Sequence, residues 1–208
     1  MVLYDITHWC CTIIGKVWFS LGAEGLENVP DDGPLILCSN HASNLDPFLV
    51  GTVIKTRRLW FMSKAEIYRD NNNRFLLWFY RQMHMFPVKR SGMSKDALKN
   101  ALALVSSGKA LMLFPEGSRT NDGQVNEFKA GSGMIAERSK AVVIPVYIDG
   151  SFAAWPRGKI FFRKSPIKVY FGKPVDLTST LGIKNNRERH HLVTEIIRDR
   201  VLSLKNTI

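Results

Sequence analysis

Apolar and polar positions along this chain follow two periods. Short apolar runs at residues 35–38, 59–62, 110–114 and 142–148 have the length and composition of buried strands. Between them, apolar residues recur three and four apart, the spacing of a helix with one buried face. This spacing is clearest at 94–105, through Ala97, Ala101 and Val105, and at 186–204, through Val193, Ile197 and Val201. Residues 131–139 predict a shorter helix, and another should run from about Pro47 to Ile54. Its start leaves two readings open: Asp46 caps the helix, or Ser43 does, with Asp46 one turn in. Lesser strands are expected at 26–29, 85–88, 159–162 and 167–171, and Lys64-Ala65-Glu66 opens a helix or a loop. Strands alternating with helices predict a single α/β domain, with a mixed, largely parallel sheet flanked by helices.

Residues 3–21 form a separate pattern. On a helical projection Asp5, His8, Thr12 and Lys16 share one stripe, interrupted by Phe19. Leu3, Ile6, Cys10, Ile13, Ile14, Val17 and Leu21 occupy the opposite face, with Tyr4, Trp9 and Trp18 near the borders. A secretory signal needs an unbroken apolar centre and a small-residue cleavage site, and neither is clear here. Burying Asp5 and Lys16 would make a spanning helix expensive. An amphipathic helix edged with Trp and Tyr suits a bilayer interface, and the pattern equally allows a helix packed on its own domain. The aromatic segment from Arg74 to Arg81, flanked by arginines, favours the membrane. The chain therefore divides into an N-terminal interface helix at 1–22 and a domain at 23–208.

Composition changes this picture in one respect. The 208 residues suffice for one domain with a full core, and 45% hydrophobic with 23% charged content is ordinary. The 29 Lys and Arg against 18 Asp and Glu, net +11, are not ordinary and imply an anionic partner. Nucleic acid, anionic lipid and a phosphorylated substrate all qualify. Cys10, Cys11 and Cys38 offer neither metal-site spacing nor an even disulfide framework, so they read as reduced thiols.

The candidate chemistry sits where two predicted strands end. Beyond 35–38 lies Ser39-Asn40-His41-Ala42-Ser43-Asn44-Leu45-Asp46, a histidine and an aspartate with four residues between them. Beyond 110–114 lies Pro115-Glu116-Gly117-Ser118-Arg119. A neutral imidazole can take a proton near pH 7, and a carboxylate on its other nitrogen fixes the tautomer and stabilises the imidazolium. Polar groups of complementary kinds at two strand ends point to one site.

These blocks resemble the glycerophosphate and lysophosphatidate acyltransferase family, of the bacterial PlsC type. That family carries the His-x4-Asp spacing of His41 and Asp46 and the Phe-Pro-Glu-Gly-Ser/Thr-Arg block of residues 114–119. Phe86-Pro87-Val88-Lys89-Arg90, Phe128-Lys129-Ala130-Gly131 and Val143-Ile144-Pro145-Val146 resemble its other blocks, in the family's order. The resemblance implies transfer of a fatty acyl group from acyl-CoA or acyl carrier protein to the sn-2 hydroxyl of 1-acylglycerol 3-phosphate (lysophosphatidate), giving phosphatidate in phospholipid biosynthesis. It implies His41 as base, Asp46 as its orienting group, and Glu116 and Gly117 near the glycerol portion. Arg119 would lie on the phosphate, with Lys64 and Arg90 as further phosphate ligands. It implies no metal and no cofactor beyond the acyl donor as co-substrate. The expected location is the cytoplasmic face of the cell membrane, peripheral or monotopic. Glycerol 3-phosphate or another lysolipid is the alternative acceptor.

A basic nucleic-acid-binding module fits the charge but leaves His41, Asp46 and Glu116 without a role, so no nucleic acid is expected as partner. Gly131-Ser132-Gly133-Met134-Ile135-Ala136 matches a dinucleotide fingerprint. The run before it, 124–129, is a poor buried strand, and that reading is rejected.

Overall fold

Leu35, Ile36, Leu37 and Cys38 are all fully buried, which requires an apolar layer on both faces of the strand they form. The computed structural model describes residues 2–64, 74–88 and 95–207. Within them the strands are β1 (Gly22–Glu24), β2 (Leu35–Ser39), β3 (Leu59–Lys64), β4 (Met85–Val88), β5 (Ala110–Leu113), β6 (Val142–Asp149) and β7 (Lys168–Phe171). The helices are α1 (Val2–Phe19), α2 (Asp46–Val53), α3 (Arg74–Gln82), α4 (Lys95–Ser106), α5 (Gly131–Ser139), α6 (Ser151–Ala154) and α7 (Asn186–Lys205).

The strands form one sheet in the order β1-β7-β6-β2-β5-β3-β4. Neighbours are parallel except β6 and β7. Alternation along β2 sends Leu35 and Leu37 to a layer with Phe19 of α1 and Leu49 and Val50 of α2. Ile36 and Cys38 go to the opposite layer, with Val105 of α4, Ile135 of α5 and Val193 and Ile197 of α7. The α/β architecture expected from the sequence is the one observed.

Register places the chemistry. Because β2, β3, β4, β5 and β6 run parallel, their C-terminal ends share one edge of the sheet, where ligands of open α/β sheets bind. His41 follows β2 and Glu116 follows β5. The start of β7 pairs with the end of β6, and the start of β1 pairs with the start of β7 (Asp149 with Lys168, Lys168 with Gly22). The C-terminal end of α1, just before β1, therefore reaches the same edge.

Two strand expectations need correction. Residues 26–29 begin with a 3-10 turn, Leu26–Asn28, and the strand lies just before it at Gly22–Glu24. Gly25, at φ 75°, ends that strand, and a Cβ there would stand 2.0 Å from the Phe171 carbonyl oxygen. Residues 159–162 are not a strand: β7 already has partners on both sides, β1 and β6, and the segment loops outward. The expectation for 64–66 lies, beyond Lys64 itself, outside the described residues.

The orientation of α1 is the largest departure from ordinary packing. It lies against α2, and the side turned inward carries Gly15 and Phe19, with Thr7, His8, Cys11 and Thr12 partly buried. Its apolar face points away from the protein: Val17 is 68% exposed, Trp9 64%, and Ile6, Ile13 and Ile14 are also exposed. Thr12 satisfies its hydroxyl within the helix by donating to the His8 carbonyl at 2.8 Å, so the inward side tolerates polar residues. A helix packed to bury its apolar face would show the reverse. Among the described residues no helix is long and apolar enough to cross a membrane.

Candidate active site

Asp46 is the first residue of α2, followed by Pro47, and it makes no capping bond to its own helix. Its carboxylate turns back into the preceding loop. One oxygen, Oδ2, accepts from the backbone N–H of Ala42 at 2.7 Å and of Ser43 at 2.8 Å, and lies 2.8 Å from His41 Nδ1. Ser43 does not cap the helix either; its hydroxyl accepts from the Leu45 N–H at 3.2 Å. The tight turn from 41 to 46 is thus built around one buried carboxylate oxygen. With Nδ1 facing a carboxylate, Nδ1 carries the hydrogen and Nε2 is left as the basic nitrogen. The Asp46 side chain is 0% exposed and that of His41 19%, so the charge is sheltered while the imidazole still meets solvent.

Three other contacts hold His41. Its ring stacks on Phe114, centroids 4.2 Å apart. Its backbone N–H donates to Glu116 Oε1 at 2.8 Å, and its carbonyl accepts from Thr120 N–H at 2.8 Å. The loops after β2 and β5 are therefore laced together. Glu116 Oε2 accepts from Asn126, from the side-chain amide at 2.8 Å and the backbone at 3.3 Å. Burial pushes the Glu116 carboxyl above the ordinary range, opposed by the hydrogen bonds from Asn126 and His41. Glu116 thus joins three segments by accepting bonds.

Gly117 makes the turn that lets Glu116 point inward and Arg119 return to the site. It has φ 72°, and a Cβ would lie 2.6 Å from Lys129 Nζ. Gly117→Ala is expected to cost about 1 kcal/mol from the left-handed backbone alone. That corresponds to a melting temperature lower by about 2–4 °C for a chain of this size. Displacement of Lys129 should also weaken acceptor binding. An unchanged melting curve and KM would show that the turn tolerates a side chain.

Arg119 is half-buried, and its guanidinium lies within electrostatic reach of Asp46. Burial lowers its proton affinity, neighbouring Arg157 lowers it further, and Asp46 acts in the opposite sense. Two guanidinium groups within electrostatic reach of each other favour an anion between them. The structure thus brings together His41, Asp46, Glu116, Gly117 and Arg119. Of Lys64 only the backbone can be placed, at the end of β3 on the same sheet edge, and Arg90 lies outside the described residues.

Several contributors escaped the sequence reading. Asn40 is buried and bonds Ile148 twice, donating to its carbonyl at 3.0 Å and accepting from its N–H at 2.8 Å, which ties the His41 loop to β6. Its place beside His41 was the available signal. Asn126 sits in the polar run dismissed as a poor strand. Arg157 comes from a distant loop and becomes visible only in three dimensions, whereas Lys129 belongs to the Phe128-Lys129-Ala130-Gly131 block already singled out in the sequence. His84 stacks on Trp60 with centroids 4.5 Å apart. Cys38 is buried in β2, and burial pushes its thiol up to about 12, so it is no nucleophile for this site.

The Gly131-Ser132-Gly133 decoy has a packing explanation. A Cβ on Gly133 would stand 2.2 Å from the His190 carbonyl oxygen, so this glycine permits the close approach of α5 and α7. Beside the start of α2 runs an apolar groove between α1 and α2, lined in part by His8, Cys11, Phe48, Gly51, Phe61 and Met85.

The chain is similar to known proteins over most of its length. The chain is 26% identical to a 1-acyl-sn-glycerol-3-phosphate acyltransferase of Bacillus subtilis over 88% of its own length and 86% of that protein's. It is 29% identical to a chloroplastic enzyme of the same name from Arabidopsis thaliana over 78% of its length, but spans only 48% of that longer protein. Among solved structures it matches the 1-acyl-sn-glycerophosphate acyltransferase PlsC of Thermotoga maritima, with a TM-score of 0.71 and 26% identity, covering 97% of this chain and 82% of that one. Residues 21–149, more than half of the chain and the part that holds His41, Asp46 and residues 114–119, match the Acyltransferase family, and the chain belongs to it.

Proposed function

We propose that this protein transfers a fatty acyl group from an acyl thioester to the sn-2 hydroxyl of 1-acylglycerol 3-phosphate, yielding phosphatidate. The observation that carries this reading is the His41–Asp46 pair at 2.8 Å with Arg119 close to the same carboxylate. His41 Nε2 takes the proton of the acceptor hydroxyl as its oxygen attacks the thioester carbonyl. Asp46 holds Nδ1–H and offsets the positive charge that develops on the ring. The tetrahedral intermediate collapses by breaking the C–S bond, and the imidazolium returns its proton to the departing thiolate. The acceptor's own hydroxyl is the nucleophile, so no acyl-enzyme is required.

Arg119 pairs with the acceptor phosphate, helped by Arg157 and Lys129, with Lys64 and Arg90 as further phosphate ligands. Glu116 acts chiefly by holding the loops of His41 and Asn126 together, with Gly117 beside the glycerol portion. The outward apolar face of α1 supports peripheral or monotopic attachment at a membrane interface, and the cytoplasmic face of the cell membrane is the location we assign to it. Acyl-CoA and acyl carrier protein are both anionic donors compatible with the basic surface.

The test is acyl transfer from each donor to 1-acylglycerol 3-phosphate and to its dephosphorylated counterpart, with wild type and Arg119→Gln. Wild type should strongly prefer the phosphorylated acceptor. Arg119→Gln should raise its KM about ten- to a hundredfold, the worth of one charge-assisted pair, and erase most of the preference. Equal use of both acceptors by wild type would move the reading to another acceptor. Absence of transfer from either donor would overturn it.

A further inference from the structure

The segment expected as a strand at 159–162 is instead the exposed part of the loop joining α6 to β7. Ile160 is 82% exposed and Phe161 81%, adjacent in sequence and buried against nothing in their own chain. Large apolar side chains so exposed normally mark a contact surface. The loop that displays them is held in shape. Arg163 N–H donates to the Ala154 carbonyl at 2.7 Å and closes the loop at its base. The Trp155 indole N–H donates to the Lys159 carbonyl at 2.7 Å, inside that loop. Phe162, between tip and base, packs edge-on against Trp18 and tilted against Phe19, at centroid distances of 6.0 and 5.7 Å. Ile167 N–H then donates to the Phe19 carbonyl at 2.8 Å. The segment just behind the tip is thus fixed to the end of α1 at Trp18 and Phe19, and Trp18 is exposed like Val17 and Ile14 of that helix.

We propose that this loop is a second membrane-inserting element, with Ile160 and Phe161 entering the acyl region of the bilayer next to α1. The inference rests on the membrane reading given above and extends it to a segment distant in sequence. Charge selects the occupant. Residues 154–166 include Arg157, Lys159, Arg163 and Lys164 and no acidic residue. Apolar side chains flanked by cations match anionic lipid, with tails for the tip and headgroups for the flanks. A second copy of this chain is a poor partner, because a two-fold contact would set the same cations against one another. The loop also follows β6, whose C-terminal end lies on the sheet edge of His41, and its Arg157 lies within electrostatic reach of Arg119. Insertion of the tip would set that edge at headgroup depth, where a lysolipid's phosphate lies.

The test is co-sedimentation of the full chain with phosphatidylcholine vesicles, with and without phosphatidylglycerol. It compares wild type, Ile160→Ser/Phe161→Ser, Phe161→Trp, and Ile13→Ser/Val17→Ser in α1. The loop double variant should bind anionic vesicles about ten- to a hundredfold more weakly, while Phe161→Trp keeps wild-type binding. Transfer to a short-chain acceptor dispersed in water should survive in the loop variant, which shows that its fold and site are intact. Wild-type binding by the loop double variant overturns the proposal. Loss in the loop variant with none in the α1 variant upholds the loop and removes α1 from the interface. Failure of wild type to bind either vesicle overturns both readings. A wild-type dimer that the loop variant turns into monomer assigns the tip to a second copy and overturns the lipid assignment.

Discussion

Replacing His41 with alanine is expected to lower kcat for acyl transfer about a thousandfold or more while leaving the protein folded. The size follows from the proposed role. A positioned general base contributes about 10²–10⁴ in rate, and here the same group also returns the proton to the leaving thiolate. The surviving fold follows from the local bonds. The loop is held by the backbone N–H and carbonyl of residue 41, on Glu116 Oε1 and Thr120 N–H, and both remain in alanine. Asp46 Oδ2 keeps the N–H groups of Ala42 and Ser43. What disappears is a partly exposed ring, its stacking on Phe114, about 1 kcal/mol by comparison with other aromatic pairs, and its hydrogen bond to Asp46 Oδ2. The measurements are initial rates at saturating acceptor and donor, with a thermal melt of the same preparation. A variant that melts like wild type and turns over like wild type would leave the proposed chemistry without its base.

Much of this arrangement was legible in the sequence because it depends on local order. The buried strands announced themselves as short apolar runs, and the residues just past two of them had to sit at strand ends, whatever the sheet order. That was enough to pair His41 with Asp46 and to expect residues 116–119 nearby. The two strand errors have a common origin. Gly22-Ala23-Glu24 has little strand character and is a strand only because the edge of β7 offers it a partner. Residues 159–162 look like a strand and are not one, because no edge is free where they fall. Pairing partners are a property of the sheet and cannot be read from four residues. The orientation of α1 was hidden for a different reason: periodicity reports that a helix has two faces and not which one meets the protein. Arg157 was hidden because loops far apart in sequence meet only once the sheet is assembled, and Asn126 because its loop, ten residues past Glu116, folds back on itself. Glu116, expected near the substrate, proved to be tied by hydrogen bonds to two other segments, which sequence spacing alone does not reveal.

Asp46→Asn should separate the two tasks of the carboxylate. Three donors converge on Oδ2: His41 Nδ1–H and the backbone N–H groups of Ala42 and Ser43. An asparagine that turned its NH₂ toward them would set donor against donors in a buried site, at about 1–3 kcal/mol for each bond left unmade. The side chain must therefore present its carbonyl oxygen there, which preserves the turn and keeps the hydrogen on Nδ1. The negative charge is lost, and with it the stabilisation of the imidazolium formed as the acceptor hydroxyl is deprotonated, while the amide NH₂ takes the buried Oδ1 position, which has no hydrogen-bond partner. Taking that as about 3 kcal/mol for a sheltered charge pair, kcat should fall about a hundredfold, at 1.36 kcal/mol per tenfold. The acceptor KM should change little. Asp46→Ala removes the acceptor itself, leaves two backbone N–H groups and Nδ1 without it, and frees the ring to rotate. It should lose as much activity as His41→Ala and melt lower than Asp46→Asn. The two variants are to be compared by kcat and by melting temperature. Wild-type kcat in Asp46→Asn would confine the carboxylate to organising the turn. If the asparagine and alanine variants lost activity equally while melting alike, the three hydrogen bonds would be contributing nothing beyond the charge.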